Sequence, residues 1–287
     1  MTPSVTVLAV GALTTVQDAG RPGQGALGIG RSGACDRTSY RLANRLVGNA
    51  VGAAVLEVTL GGLRLRANDD VLVVTTGARC AGTSPHNAPG VLRAGDELRL
   101  GTPASGLRTY VAVRGGLAVE PVLGSRSTDV LAGLGPDIVS DGDRLSIGAP
   151  ELPLPGVDVA PVADPEAGDV SVRVVAGPRR DWFTDQAWAA LVSQPYAVSS
   201  DSNRVGLRLD GDPLERTRTE ELPSEGMVRG ALQIPPSGTP VLFLADHPVT
   251  GGYPVLAYVV DDDVDRCAQL RPGQLLRLRS PASARRG

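Results

Sequence analysis

Short runs of Val, Leu and Thr, each closed off by Gly, Asp or Pro, recur along the whole 287-residue chain. Runs of this kind, four to seven residues long and rich in β-branched side chains, are strand-like. In the first half they are Ser4–Val10, Val55–Leu60, Val71–Thr76, Glu97–Leu100 and Arg108–Arg114. One segment breaks the pattern. In DRTSYRLANRLVGN, residues 36–49, Tyr40, Ala43, Leu46 and Val47 fall at three- and four-residue spacing. That spacing predicts a helix with one apolar face, capped by Asp36 and stopped by Gly48-Asn49.

Residues 149–168 read APELPLPGVDVAPVADPEAG, with five prolines among small and acidic residues. Such a stretch forms neither a helix nor a central strand. It reads as an extended linker, which divides the chain into a domain at 1–148, the linker at 149–168 and a second domain at 169–287. The second half repeats the style of the first. Strands are expected at Val170–Val175, Val241–Ala245, Val255–Val260 and Leu275–Arg279. A helix is expected at Thr184–Val192, capped by Thr184, with Trp188 and Leu191 turned inward. RAGDELRL at 93–100 resembles RPGQLLRL at 271–278, and NDDVLVVTTGA is matched by SGTPVLFLAD. A mainly β chain with a few short helices follows, built as two barrel-like domains that are degenerate copies of each other.

Composition narrows the chemistry. Aromatic residues are only 3%, so the core must be built from Val, Leu, Ala and Ile. The net charge of −3 gives no electrostatic reason to expect nucleic acid as a partner. All 28 basic residues are Arg. A Schiff-base lysine, a phosphate-loop lysine and a biotinylated lysine are therefore excluded on this chain. Three widely separated cysteines, Cys35, Cys80 and Cys267, fit free thiols in a reducing cytoplasm better than a disulfide framework. The start of the chain lacks the pattern of a signal peptide, and no apolar run reaches membrane-spanning length.

Several motifs fail on context. GQGALG at 23–28 satisfies G-x-G-x-x-G, but Arg21-Pro22 precedes it and Gly30 and Gly33 follow at once, where a dinucleotide site needs a strand and then a helix. Two histidines and no Cys-x-x-Cys leave too few ligands for a structural zinc site, so no metal residue is assigned, while an oxygen-liganded Mg²⁺ site stays open because nucleotide phosphates supply some of the ligands themselves. There is no G-x-S-x-G elbow for a serine nucleophile. His86, in SPHNAP, reads as an exposed loop residue, and His247 as a polar residue at a turn behind Asp246. Two polar clusters are richer. TTVQDAGRPGQGALGIGRSGACD gathers Thr14, Thr15, Gln17, Asp18, Arg21, Arg31 and Asp36 among glycines. The stretch from Glu225 to Pro254 carries Glu225, Gln233, Asp246, His247, Thr250 and Tyr253 beside Gly226, Gly251 and Gly252. Polar groups of both signs next to glycine suit a ligand loop, and they equally suit ordinary turns.

The ordered strings TTVQDAGRPG, SGACD, ANRLVGN, LEVTLGG, RTYVAVRGG and VLGSRSTD resemble the first half of the KipI-antagonist family. SNRVGLRLDG, SEGMVRGALQIPPSGTPVLFLAD, TGGYPVLAYVV and AQLRPG resemble its second half. That group includes the C subunit of 5-oxoprolinase, allophanate hydrolase subunit 2 and biotin-dependent carboxyltransferase-like proteins. The resemblance implies two cyclophilin-like β-barrel domains. It implies a cytoplasmic subunit of a KipI-type complex, with a KipI-like partner of the 5-oxoprolinase B-subunit type and a LamB/YcsF-like partner of the A-subunit type. The implied reaction is ATP- and Mg²⁺-dependent opening of 5-oxoproline to glutamate, with the nucleotide handled at the level of the complex. The alternatives are an allophanate/urea carboxyltransferase component, whose biotin would arrive on another chain, and a non-enzymatic antagonist of a KipI-like kinase inhibitor.

Both enzymatic readings need donors for developing negative charge on a small amide or lactam. By resemblance, Gln17, Asp18, Arg21 and Asp36 belong to one pocket-lining substrate loop, and Arg114, Ser125 and Thr128 are further substrate-binding candidates. Asn203, Gln233, Thr250 and Tyr253 are the substrate-binding residues of the second half. Arg204, Glu225 and Asp246 are its catalytic candidates, Arg204 or Arg21 holding an anion and Asp246 or Glu225 serving as base or metal ligand. The chain departs from the family at His247-Pro248, where Arg-Gln is usual, and at Cys35, where Met is usual.

Overall fold

The computed structural model describes residues 2–280 and groups them into two compact units. Among them, unit 1 comprises residues up to 23 and 31–167, and unit 2 comprises 24–30 and the residues from 168 onward.

Unit 1 holds ten strands: β1 (Ser4–Val10), β2 (Leu13–Gln17), β3 (Val55–Thr59), β4 (Leu63–Ala67), β5 (Val71–Gly77), β6 (Cys80–Thr83), β7 (Gly90–Leu92), β8 (Glu97–Pro103), β9 (Arg108–Val113) and β10 (Arg144–Ser146). They form two antiparallel five-stranded sheets, ordered β10-β1-β4-β8-β6 and β2-β3-β9-β5-β7. β4 shows why its residues make a half-buried strand. In LRLRA, Leu63, Leu65 and Ala67 are buried while Arg64 and Arg66 face water. β9 reads RTYVAV and is buried along its whole length. Tyr110 and Ala112 pack with one side of the sheet against α1 (Arg37–Leu46), and Val111 and Val113 face the main core of the unit. A strand covered on both faces loses its polar alternation. α1 begins as expected: Asp36 accepts the Ser39 amide at 2.9 Å, and Tyr40, Ala43, Leu46 and Val47 are all buried.

Unit 2 holds β11 (Val170–Ala176), α2 (Asp185–Ser193), β12 (Pro195–Val198), β13 (Gly206–Asp210), β14 (Glu225–Gly226), β15 (Ala231–Gln233), β16 (Val241–Phe243), β17 (Thr250–Gly251), β18 (Val255–Val259), α3 (Asp261–Cys267) and β19 (Leu275–Arg279). Seven strands close a barrel in the order β11-β18-β15-β16-β13-β12-β19. The β11–β19 seam is parallel, the other pairings antiparallel. β14 and β17 form a small separate ribbon. Thr184 caps α2 through the Ala187 amide at 3.0 Å. Leu191 turns inward as expected, whereas Trp188 is only partly buried and carries the Arg180 guanidinium 5.6 Å from its ring centre. The chain is mainly β, with three short α-helices among the described residues.

The likeness of residues 93–100 to 271–278 has a structural basis, and a third copy exists. Arg93–Asp96, Ser140–Asp143 and Arg271–Gln274 form the same four-residue turn. In each, the last residue's amide returns to the first carbonyl (2.9, 3.2 and 3.1 Å). Its side-chain oxygen accepts the first residue's amide (2.9, 2.8 and 2.9 Å). The third position is Gly with φ of +94°, +91° and +82°, which a type II turn demands. In each, the Gly amide and the last carbonyl then pair with one residue of the neighbouring strand: Ala67, Val7 or Val198.

The proline-rich segment 149–167 is grouped with unit 1 and is stitched to it. Arg114 donates to the Leu152 carbonyl at 2.9 Å, the Ala160 amide donates to the Asn87 carbonyl at 2.7 Å, and Arg79 pairs with Asp164 at 3.0 Å. His86 is the surprise of this region. The side chain expected to be exposed is 4% accessible, with Nδ1 3.1 Å from the Thr75 hydroxyl and Nε2 3.7 Å from Asp164. Burial, with the Arg79 charge nearby, lowers its pKa to about 4.

Candidate functional site

In unit 1 the polar cluster of the sequence becomes a buried knot at the end of β2. Asp18 follows the strand directly. Its Oδ1 accepts the Gly20 amide (2.7 Å), the Ser125 hydroxyl (2.7 Å) and the Ser127 hydroxyl (2.5 Å), and its Oδ2 accepts the Arg126 amide (2.6 Å). Three of these four donors belong to residues 125–127, and the carboxylate fixes that segment against the Asp18–Gly20 turn. Gln17 and Arg21 then grip consecutive carbonyls of that segment. Arg21 Nη2 donates to Ser127 O at 2.6 Å, and Gln17 Nε2 donates to Thr128 O at 2.9 Å. A carbonyl is only an acceptor, so this bond sets which way the Gln17 amide points.

The knot is incompletely satisfied. Gln17 Oε1, Arg21 Nη1 and Thr128 Oγ1 are buried and have no hydrogen-bond partner, and the three residues are 0%, 1% and 4% exposed. Buried polar atoms are nearly always paired, because an unpaired one costs on the order of 1–3 kcal/mol. Here an acceptor, a cationic donor and a hydroxyl are left over around one short peptide segment. The two donors suit a carbonyl oxygen and the acceptor suits an N–H or a buried water.

Other residues expected in this loop lie elsewhere in the unit. Asp36 is the helix cap, and its amide donates to the Tyr110 hydroxyl at 2.8 Å. That hydroxyl donates to Glu57 at 2.8 Å, and Glu57 also accepts the Cys35 amide and faces Arg108 at 3.4 Å. Burial first, and Glu57 next, push the Tyr110 phenol far up, so it remains a donor. The Glu57–Tyr110–Arg108 network was not expected from the sequence. Its only trace there is a charged residue at the centre of an apolar strand. Arg114 donates to the Val47 carbonyl at the C-terminal end of α1, where a cation is favoured, as well as to Leu152.

In unit 2 the candidates separate into three places. Arg204 and Asp246 form a two-pronged pair, with Nε–Oδ2 at 2.9 Å and Nη2–Oδ1 at 3.0 Å, and side chains 1% and 0% exposed. Asn203 is exposed and accepts the Val205 amide in a local turn. Glu225, Gln233, Thr250 and Tyr253 come together around the β14–β17 ribbon. Glu225 pairs with Gly251 in register and is gripped by Arg179 through both carboxylate oxygens. Gln233 donates to the Tyr253 carbonyl at 3.1 Å. A Cβ on Gly251 would lie 2.5 Å from Gln233 Nε2, so glycine permits this approach. Thr250 and Tyr253 are exposed, and His247 Nδ1 lies 2.8 Å from the Pro248 carbonyl. Ser127 and Arg179 are partners that sequence reasoning missed. Ser127 could have been found from its alternation with Ser125, which puts both on one side of the chain.

Among the described residues no three His, Cys, Asp or Glu side chains are placed to hold a metal ion, and no helix is long and apolar enough to cross a membrane.

Residues 27–280 match the family model of the carboxyltransferase domain, subdomain A and B. The C subunit of 5-oxoprolinase from Escherichia coli K12 is 38% identical over 93% of this chain and 88% of its own length. The protein of the same name from Haemophilus influenzae is 31% identical over 95% and 90%. Urea amidolyase of Lachancea kluyveri is 32% identical over 93% of this chain, which spans only 16% of that enzyme. Among solved structures, TTHA0988 superposes with a TM-score of 0.86 at 35% identity, over 96% of this chain and 55% of its own. The K. lactis urea amidolyase superposes with a TM-score of 0.89 at 29% identity, over 97% of this chain and 19% of its own. The chain thus spans about half the length of one solved relative and a fifth of the other.

Proposed function

This chain belongs to the carboxyltransferase-domain family, subdomain A and B, and we propose on that premise that it is the C subunit of a 5-oxoprolinase. One observation carries the choice within the family. The relatives named for that subunit match it nearly end to end, 88% and 90% of their own length, whereas it matches 16% of the urea amidolyase.

In this reading 5-oxoproline is hydrolysed: water adds to the lactam carbonyl, the C–N bond breaks, and the nitrogen takes a proton to give glutamate. Arg21, Thr128 and Gln17 supply the donor and acceptor atoms that the buried knot leaves unpaired, and Asp18, Ser125 and Ser127 hold the 125–128 segment in place. In unit 2, Glu225 with Gln233, Thr250 and Tyr253 is the second substrate-facing group. Arg204 and Asp246 position it as a buried brace, Asn203 shapes the adjacent turn, and Asp36 and Arg114 anchor the two ends of α1.

ATP and Mg²⁺ act at the level of the complex. This chain has no lysine, so a lysine-based phosphate loop of its own does not fit. Their place is on the partners, a KipI-like protein of the B-subunit type and a LamB/YcsF-like protein of the A-subunit type, in the cytoplasm. The test is glutamate release from 5-oxoproline, ATP and Mg²⁺ by the three co-expressed proteins. Release that vanishes when this chain is left out supports the reading. A folded complex of all three that releases none sinks it. The second reading, carboxyl transfer to urea, is favoured by the carboxyltransferase family model, and it predicts urea-dependent turnover with a biotin-bearing protein instead.

A further inference from the structure

Unit 1 contains a cavity of about 350 Å³ lined by segments 49–54, 115–118 and 148–151 together with Arg126. The volume lies at the small end of the range for metabolite pockets, which begins at roughly 300 Å³. Nine of its thirteen lining residues are Ala or Gly, so much of the space is bounded by backbone. That backbone is already committed. The amides of Gly115, Gly116, Leu117, Ala118 and Gly148 donate to Asn49 Oδ1 and to the carbonyls of Val113, Ala54, Ser146 and Gly116. The wall therefore offers a ligand few donors of its own, and recognition falls to the charged side chains.

Two such side chains line the cavity, Arg126 and Glu151. Among the described residues neither has an ion-pair partner. Arg126 is half-buried, and its Nε donates to the Val119 carbonyl at 2.6 Å, which fixes the plane of the guanidinium. Its Nη groups, which form no protein hydrogen bond, are the fork that takes a carboxylate. Arg126 also stands between Ser125 and Ser127, and its own amide is held by Asp18. The cavity and the buried knot thus share one rigid segment. Nothing in the resemblance or in the knot points to Arg126.

We infer that this cavity is a substrate-docking site separate from the knot, which binds a small carboxylate bearing an adjacent N–H, with Arg126 taking the carboxylate and Glu151 accepting the N–H. The inference rests on the proposed function for the identity of the ligand, 5-oxoproline, whose ring nitrogen and carboxylate sit on the same carbon. The Arg126 guanidinium and the Glu151 acceptor together ask for a carboxylate and an N–H on one molecule, and a carboxylate without the N–H would leave Glu151 unmatched.

The test is a titration of the purified full-length chain with 5-oxoproline, and with 2-pyrrolidinone, the same ring without the carboxylate. Arg126→Met keeps the aliphatic stem and removes the charge, and it should weaken 5-oxoproline binding about tenfold or more while 2-pyrrolidinone binds poorly to both forms. Gly52→Leu is the second variant. It leaves Arg126 alone and adds a side chain where a Cβ meets no atom within 4 Å and the φ is not left-handed, so it should fold and still narrow the cavity. Loss of binding in both variants, with unchanged melting temperatures, supports the pocket. No binding to the folded wild type, or equal binding to wild type and Arg126→Met, overturns it. The proposed function fails separately: a complex that releases glutamate with wild-type KM in the Arg126→Met form sinks the pocket alone, and a complex that never releases glutamate sinks the activity alone.

Discussion

Arg204 lays two guanidinium nitrogens on the two carboxylate oxygens of Asp246 at 2.9 and 3.0 Å, and neither side chain reaches water. Attraction inside the protein offsets the desolvation of both charges only while both are present. Asp246→Asn should therefore cost about 3–5 kcal/mol of stability in urea unfolding, by leaving the Arg204 charge buried and poorly matched. The joint Arg204→Met, Asp246→Leu replacement should recover most of that loss. An Asp246→Asn protein of wild-type stability that has lost turnover would move Asp246 from brace to catalyst.

Arg21 gives a prediction about activity. Its Nη2 is spent on Ser127 O and its Nη1 is left over. If Nη1 meets charge that develops on the substrate, Arg21→Gln should lower turnover of the assembled enzyme on the order of a hundredfold, as loss of one such donor does elsewhere. A KM effect alone, with kcat intact, would place Arg21 in ground-state binding.

His86 predicts a pH dependence. Its pKa falls from the ordinary 6.5 to about 4 because burial, aided by the Arg79 charge, disfavours the imidazolium. The unfolded chain takes up this proton below about 6.5 while the folded chain does not until about 4, so stability falls as pH is lowered through that window. Between pH 6.5 and 5 most carboxylates are still ionised, and comparison with a His86 variant separates His86 from the other histidine, His247. The thermal midpoint of the wild type should drop across this interval more than that of His86→Gln. Equal slopes would show that His86 is solvated.

The three repeated turns make a steric-free test of backbone strain. A Cβ at Gly95, Gly142 or Gly273 meets no atom within 4 Å, so only the left-handed φ opposes it. Each Gly→Ala change should cost about 1–2 kcal/mol, measured by chemical unfolding. A neutral effect would mean that the turn relaxes to another type.

The legible parts of this fold were those in which one residue type meets one local need. Ser4–Val10 and Leu275–Arg279 coincide with β1 and β19, and Asp36 and Thr184 cap α1 and α2 as read. What escaped depends on partners far along the chain. β14 and β17 are two residues long, and only each other's hydrogen bonds make them strands. α3 begins with three Asp residues, a composition that reads as a turn until the barrel buries Val264 and Cys267 behind it. His86 was misplaced because SPHNAP shows no trace of Asp164, 78 positions later, which comes to lie against the ring. The knot was half legible. Gln17, Asp18, Arg21, Ser125 and Thr128 do converge, but the sequence could not say that Asp18 would be consumed in holding Ser125 and Ser127 while Gln17, Arg21 and Thr128 kept atoms to spare.

The stitched segment 149–167 bears on where a gene encoding this protein tolerates a junction. By composition the natural splice point is the first proline, Pro150. By contacts it is some 17 residues later, after Ala167, since Arg114, Asn87 and Arg79 all hold what lies between. A fusion partner or tag inserted at 149 would tear those anchors away and bare the faces they cover, whereas the same insertion at 168 would cut none of them.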